Sequence, residues 1–372
     1  MPDTTNMNLL INCSNLKVGG GIQVAHSFIN ELKFVTDHIT IVVSSQLLSQ
    51  LVVNDFPVNV SFVEYNIKPT IQSFIYGNNS FLDSLVKKTK PECVFTVFGP
   101  SYWKPKVKHI CGYAKPHYVY KDSPFFRIIS AKERILLWIK EKIHIRDFRN
   151  NTDLLISENE DVSAILRRRF PKKEVITVSN NYHQIFDNSS QWDNSILVQE
   201  ANLCYLLTIS ANYPHKNLSI IPAVARVLEK RGYKNFRFVL TLERHELDVP
   251  KGLEKYIIYI GKVPIRQCPH LYEQCDFMFL PTLLECFSAS YPEAMKMQTP
   301  ILTSNLSFAK GICKNAALYF NPMDPDDIAE RIIQIYNDKE LQKELVNAGI
   351  KRVVEFPTAA IRAKRYIELM KS

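Results

Sequence analysis

Phe277-Met278-Phe279-Leu280-Pro281-Thr282-Leu283-Leu284-Glu285-Cys286-Phe287-Ser288-Ala289-Ser290-Tyr291-Pro292-Glu293-Ala294-Met295 reads as a buried strand, a loop and the start of a helix. Four apolar residues make the strand, and Pro281 follows it. Pro292 is well placed near a helix start, where its missing N–H costs nothing. Loop N–H groups running into a helix start suit an anion. An ionised glutamate only accepts hydrogen bonds, so Glu285 or Glu293 suits a pair of sugar or ribose hydroxyls. The same letters also read as a Ser290-x-x-Glu293 capping box with Glu285 a solvated loop carboxylate.

The strand, loop, helix unit recurs on both sides of this stretch. Leu206-Leu207-Thr208-Ile209-Ser210-Ala211-Asn212-Tyr213-Pro214-His215-Lys216-Asn217-Leu218 runs from a strand through a turn towards a helix over 218–230. His215 and Lys216 fall where that helix is expected to start. A cation there opposes the helix dipole, and a bound diphosphate would resolve the conflict. The first such unit is Val18-Gly19-Gly20-Gly21-Ile22-Gln23-Val24, after the apolar run Leu9–Cys13. Its glycines let backbone approach a phosphate or sugar, or simply make a tight turn. A dinucleotide fingerprint fails here. The third glycine position is Val24, and the strand Ile39–Val43 ends in Ser44-Ser45 rather than an acid.

Further strands are expected near 58–63, 94–98, 107–111, 154–157 and 175–178, then near 203–209, 236–242, 257–260 and 301–303. Further helices are expected at 22–32, 267–274, 292–297, 326–336, 339–354 and 359–370, with Pro357 breaking the chain between the last two. The polar, turn-rich stretch 183–202 reads as a linker. The expected architecture is α/β: two facing Rossmann-like doubly wound domains with a cleft between them. The domains are 1–185 and 200–356, with 357–372 a C-terminal helix that is a candidate to cross back to the first.

The 372 residues are 46% hydrophobic and 22% charged, which excludes a largely disordered chain, and the 11 glycines exclude a collagen-like one. A formal net charge of +9 favours an anionic partner without choosing among phosphate, nucleic acid and membrane. The 8 cysteines form no CxxC pair and sit singly, mostly in apolar runs, as free thiols of a reducing compartment do. Neither a secretory signal nor an 18-residue apolar run is legible, so a cytoplasmic protein is expected.

The three segments, in this order, resemble glycosyltransferase family 4, retaining enzymes of the GT-B fold. The E-x7-E element is Glu285 to Glu293. Gly261-Lys262-Val263, Gln274-Cys275-Asp276, Thr299-Pro300-Ile301 and Asn321-Pro322-Met323-Asp324-Pro325 match around it. The resemblance covers nearly all of the C-terminal half. In the N-terminal half it rests on the glycine loop and the general layout. It implies that Lys216 neutralises the diphosphate of a nucleotide-sugar donor, aided by the N–H groups of Phe287, Ser288, Ala289 and Ser290. It also implies that Glu293 holds the ribose, that Glu285 touches the donor sugar, and that Gly20 and Gly21 line the cleft. A catalytic-site histidine is implied in the N-terminal domain. His109 and His117 are the candidates, and His117 is preferred because it follows a strand end. No metal and no cofactor are implied, and Asp324-Pro325-Asp326-Asp327 reads as helix capping. Two departures stand out. Ala211 replaces the usual arginine five residues before the lysine, and Cys286 and Ser288 replace glycines.

The expected function is therefore transfer of a sugar to a glycan acceptor, lipid-linked, in bacterial O-antigen or capsule synthesis. The stretch 125–149 carries Arg127, Lys132, Arg134, Lys140, Lys142, Arg146 and Arg149 around Ile135-Leu136-Leu137-Trp138-Ile139. It reads as a peripheral contact with the anionic inner face of the cell membrane, or as a surface helix packed on its domain. A sugar-nucleotide epimerase or phosphorylase on the same fold is the rival enzyme. A basic nucleic-acid-binding protein is the rival of another class. No RNA-recognition or zinc motif supports it, so nucleic acid is not an expected partner.

Overall fold

The computed structural model describes residues 6–372, so 1–5 of the expected first domain lie outside the described residues. The strands are β1 Asn8–Cys13, β2 His38–Val43, β3 Val60–Glu64, β4 Cys93–Thr96, β5 Lys108–Gly112, β6 Leu154–Ser157, β7 Glu174–Thr177, β8 Cys204–Thr208, β9 Phe236–Leu240, β10 Ile257–Tyr259, β11 Phe277–Leu280, β12 Ile301–Ser304 and β13 Ala317–Phe320. The helices are α1 Gly20–Glu31, α2 Ser45–Leu48, α3 Ile71–Tyr76, α4 Ser80–Thr89, α5 Phe125–Ile128, α6 Ala131–Asn151 and α7 Glu160–Arg169. They continue with α8 Ile221–Lys230, α9 Cys268–Gln274, α10 Ser290–Lys296, α11 Ser307–Cys313, α12 Pro325–Asn337, α13 Lys339–Val353 and α14 Ala359–Lys371.

Two parallel sheets result, ordered β3-β2-β1-β4-β5-β6-β7 and β10-β9-β8-β11-β12-β13. Parallel strands are buried on both faces, which is why they read as unbroken apolar runs rather than alternating ones. In β1 the residues from Leu9 to Cys13 are all buried, with Leu9 beside Ile39 on β2 and Ile11 beside Phe95 on β4. All eight cysteines are free and buried. The chain divides into two compact units. One holds the described residues up to Val119 together with 131–180 and 357–372, and the other holds 120–130 and 181–356.

This division corrects two expectations. The segment 120–130 falls inside the expected first domain but packs in the second unit. There Ser123 Oγ donates to the Leu283 carbonyl at 2.7 Å, and the rings of Tyr120 and Phe125 lie against Phe308 and His215. The stretch 183–202 is not a free linker. Asp193 N donates to the Arg266 carbonyl at 2.9 Å and Ser195 N to His270 Nδ1 at 2.9 Å, which pin it to the second unit. Both errors come from long-range bonds that local composition cannot show. β13 and α11 were also not expected, because short apolar runs read equally as helix or strand.

The C-terminal helix completes the first unit. Tyr366 of α14 sits edge-on to Phe28 of α1 at 5.1 Å and tilted on Phe95 of β4 at 4.9 Å between ring centroids. Arg362, buried beside it, donates to Ser27 Oγ at 2.9 Å. Removing a fully packed aromatic ring leaves a cavity that a rigid sheet cannot close. Tyr366→Ala is therefore expected to cost about 3 kcal/mol. Hydrogen exchange should show the loss of protection in α1, β1 and β4, while protection of β8, β9 and β11 stays at the wild-type level.

Candidate functional site

In an open parallel sheet, ligands bind beyond the carboxyl ends of the strands, where the strand order reverses. In the second unit that point lies between β8 and β11, adjacent strands with Leu206 beside Phe277 and Leu207 beside Met278. The loops that leave their carboxyl ends carry Lys216 and Glu285. The structure brings these two together: the Lys216 ammonium pairs with Glu285 Oε1, with both side chains largely withdrawn from solvent. Thr282 Oγ1 donates to the same carboxylate oxygen at 3.1 Å.

Backbone bonds fix this geometry. The His215 carbonyl accepts from Leu283 N at 2.7 Å, and the Thr282 hydroxyl, 3.1 Å from that carbonyl as well as from Glu285, shares its single proton between the two, which stitches one loop to the other. Lys216 does not lie at the start of α8, as its sequence suggested. It closes a one-turn 3-10 helix over 214–216, and Asn217 then takes a left-handed conformation (φ 56°) before the next turn. Asparagine is one of the few non-glycine residues that visit that region. Here Asn217 Nδ2 donates to the Pro322 carbonyl at 2.8 Å. The lysine therefore answers to a carboxylate and not to a helix dipole. His215 stacks parallel on Tyr213, with centroids 5.6 Å apart. Burial, and then Lys216, push its imidazole down to about 3, so it is neutral at pH 7.

Glu293 is buried in the first turn of α10, and its Oε2 accepts from the Tyr272 hydroxyl at 3.1 Å. Burial pushes its carboxyl up to about 7, and the Tyr272 bond opposes that rise. The capping-box reading fails. Ala289 is the N-cap, Ser290 already lies in the helix, and no side chain caps this end. Among the described residues none accepts from the N–H groups of Phe287, Ser288 and Ala289. The Phe287 ring turns edge-on to Phe356 at 5.9 Å, so at this position the backbone and not the ring is available to a ligand. Ala211, at the position of the expected arginine, is exposed. Asp324 caps α12, its Oδ1 accepting from Asp326 N at 2.9 Å and Asp327 N at 3.3 Å.

The other candidates belong to the first unit, at the carboxyl edge of its own sheet. Gly19, with φ 72°, makes the turn after β1, a conformation suited to glycine. Gly20 is exposed at the first residue of α1, and Gly21 lies near Leu16 and Phe98. His117 is half-buried in a one-turn helix after β5. His109 is buried within β5, bonded through Nε2 to Thr96 Oγ1 at 2.9 Å and through Nδ1 to the Asn151 carbonyl. Burial holds it down to about 4, which marks it as a core histidine. The sequence reading missed Thr282, Tyr272, Ser123 and Phe125. Thr282 adjoins a motif residue and could have been found. The others reach the site only through tertiary packing.

Residues 198–352 match the family model described as "Glycosyl transferases group 1". The O-antigen chain mannosyltransferase B of Escherichia coli is 26% identical over 159 residues, covering 41% of this chain and 42% of that protein. The chain thus spans about half the length, or less, of the curated relatives it matches. Among solved structures, a glycosyltransferase of Rickettsia africae superposes with a TM-score of 0.70 at 13% identity, covering 99% of this chain and 98% of that one. Anabaena HepE, solved in complex with UDP and glucose, gives 0.70 at 11% identity, covering 99% and 100%. The second unit therefore carries a group 1 glycosyltransferase domain, and the two parallel-sheet units have the GT-B fold class of their structural neighbours.

The Glu293 environment makes a testable statement about pH. The folded carboxyl keeps its proton to about 7, against an ordinary value of 4.5. Between those values the folded chain binds more protons than the unfolded one. Stability therefore falls as pH rises through this window, by roughly 3 kcal/mol in total. Glu293→Gln should flatten that decline in denaturant titrations run across the window. A decline as steep as that of wild type would show that another group carries it.

Proposed function

We propose that the protein is a retaining glycosyltransferase of the family 4 type, which moves a sugar from a nucleotide-sugar donor to a glycan acceptor. The observation that carries this reading is the Lys216–Glu285 pair at the switch point of the second sheet. A diphosphate entering beside Lys216 exchanges one anion for another on the same ammonium. Glu285, released, then accepts from the hydroxyls of the attached sugar. Glu293 serves the ribose hydroxyls, in the ionised form that accepts from both.

In the reaction the bond from the anomeric carbon to the diphosphate oxygen breaks. The acceptor hydroxyl forms the new bond on the same face, and its proton goes to the departing phosphate. The developing charge on the leaving group falls on Lys216 and the N–H groups of 287–290 rather than on a metal ion. A preorganised, desolvated cation there is worth on the order of a hundredfold or more in rate. His117, Gly20 and Gly21 remain the first-unit candidates. Similarity to an O-antigen mannosyltransferase supports a role in bacterial surface polysaccharide synthesis with a lipid-linked acceptor. That role in turn calls for a cytoplasmic enzyme working at the inner face of the membrane.

The test is a thermal-shift screen with UDP, GDP, ADP, dTDP and their sugars. One nucleotide should raise Tm by mass action, and Lys216→Ala and Glu293→Ala should each abolish that rise. Lys216→Ala also leaves a buried carboxylate unpaired, so its ligand-free Tm is measured separately. Nucleotide shifts that survive both substitutions would overturn the donor-site assignment. His117→Ala should keep the nucleotide shift yet lose sugar transfer, as followed by product mass. Donor turnover that needs no acceptor would point to an epimerase instead.

A further inference from the structure

Lys216 is the one lysine or arginine between Ile209 and Leu218, and the neighbouring His215, pushed down to about 3, adds no second positive charge to that loop. Its ammonium is paired with Glu285 Oε1, and only 15% of the lysine side chain and 10% of the glutamate side chain meet solvent. An ion pair in water yields readily to another anion, because each partner is hydrated as it leaves. A desolvated pair does not, because the ion that loses its partner stays buried with its charge. Among the described residues, the hydrogen-bond donors on the Glu285 carboxylate are that ammonium and the Thr282 hydroxyl. Thr282 is fully buried, and its single proton is divided between the carboxylate and the His215 carbonyl. An anion that takes Lys216 therefore leaves Glu285 with little to accept from.

We propose that Glu285, steadied by Thr282, competes with a bound diphosphate for Lys216. This competition lets the site distinguish a nucleotide that carries a sugar from the nucleoside diphosphate left after transfer. It rests on the proposed donor site and concerns the selectivity of that site. A diphosphate without a sugar gains Lys216 and strands Glu285. A sugar nucleotide gains the same cation, and its sugar hydroxyls donate to the released carboxylate. Both ligands break the same ion pair, so they differ in what Glu285 receives afterwards. When the sugar leaves with the acceptor, its hydroxyl donors leave too. Glu285 then turns back to Lys216, and the diphosphate loses its cation. This return makes and breaks no covalent bond. Its end point is fixed by bonds that involve neither charge. Leu283 N donates to the His215 carbonyl at 2.7 Å, and Asn217 Nδ2 donates to the Pro322 carbonyl at 2.8 Å. The carboxylate that helps to hold the donor thus also helps to expel the product.

The full chain is titrated calorimetrically with inorganic pyrophosphate, with UDP, GDP, ADP and dTDP, and with their common sugars. Glu285→Gln removes the competing charge and leaves an amide that still bonds sugar hydroxyls. It should tighten pyrophosphate and the nucleoside diphosphate about ten-fold, and move the sugar nucleotide by less than about three-fold. Thr282→Val keeps the ion pair but takes the remaining donor from a stranded carboxylate. It should weaken the nucleoside diphosphate about five-fold, and the sugar nucleotide less. A merely structural role for these side chains would weaken all the ligands alike, so the opposite signs carry the test. In turnover, Glu285→Gln should be inhibited by the nucleoside diphosphate at about a tenth of the wild-type concentration. The ligand-free Tm of Glu285→Gln reports whether it folds. If it does not, the Thr282→Val comparison decides. Diphosphate binding no tighter in Glu285→Gln than in wild type, with sugar-nucleotide binding intact, would overturn the competition and leave the donor site standing. An equal loss for both ligands in Thr282→Val would do the same. A wild-type chain that binds none of these compounds would overturn the donor site, and the competition with it.

Discussion

A lysine and a glutamate withdrawn from water together constrain the whole second unit. Desolvating either charge alone is expensive, so the pair survives only where its geometry is held by bonds that do not depend on it. Those bonds are visible. The His215 carbonyl accepts from Leu283 N, the Thr282 hydroxyl shares its proton between that carbonyl and the carboxylate, and Asn217 turns the chain in a left-handed step that its own side chain secures. The pair suits a ligand in which an anion and a polyol are parts of one molecule. An anion alone strands Glu285, and a polyol alone leaves Lys216 occupied. A ligand carrying both, bonded to each other, satisfies both groups at once.

The neighbouring groups keep the site from accumulating charge. His215 stays neutral beside Lys216, so the lysine is the cation an anion meets at this loop. Glu293, buried and bonded to Tyr272, sits near half protonation at neutral pH, so the ligand-free site is spared a full second carboxylate charge. Ionisation of Glu293 becomes favourable when hydroxyl donors arrive. Hydrogen bonds from a ligand thus replace the water that burial removed.

Much of this was legible in the residues because parallel sheets announce themselves. Leu9–Cys13, Ile39–Val43 and Phe277–Leu280 are apolar without alternation, and each is a buried strand. Glu285 and Lys216 stood out because they lie in the connections that follow such strands, and Glu293 because it opens the helix after one of them. Other parts were not legible. Ser123 meets Leu283 across 160 positions, and the polar stretch 183–202 looks like a linker until Ser195 is seen bonded to His270. Asn217 could not be read either. A left-handed residue ended the expected helix start and moved Lys216 out of the helix dipole. That turn is set by the buried Asn217–Pro322 bond, which no local pattern encodes.

The chain order adds a constraint on how the molecule is made. The sequence crosses between the two units after 119, 130, 180 and 356, so neither unit is one continuous stretch. All seven strands of the first sheet are made by Thr177, yet Phe28 and Phe95 gain the ring of Tyr366 only when the C-terminal helix is made. Until then an apolar face of α1 and β4 is open to water, and contacts of such long sequence separation form slowly. The second unit likewise needs 120–130, which are made before any of its strands. Folding of the two units is therefore coupled through the chain itself. A stable second unit requires a segment of sequence embedded in the first half, and a closed first-unit core requires the last helix of the chain.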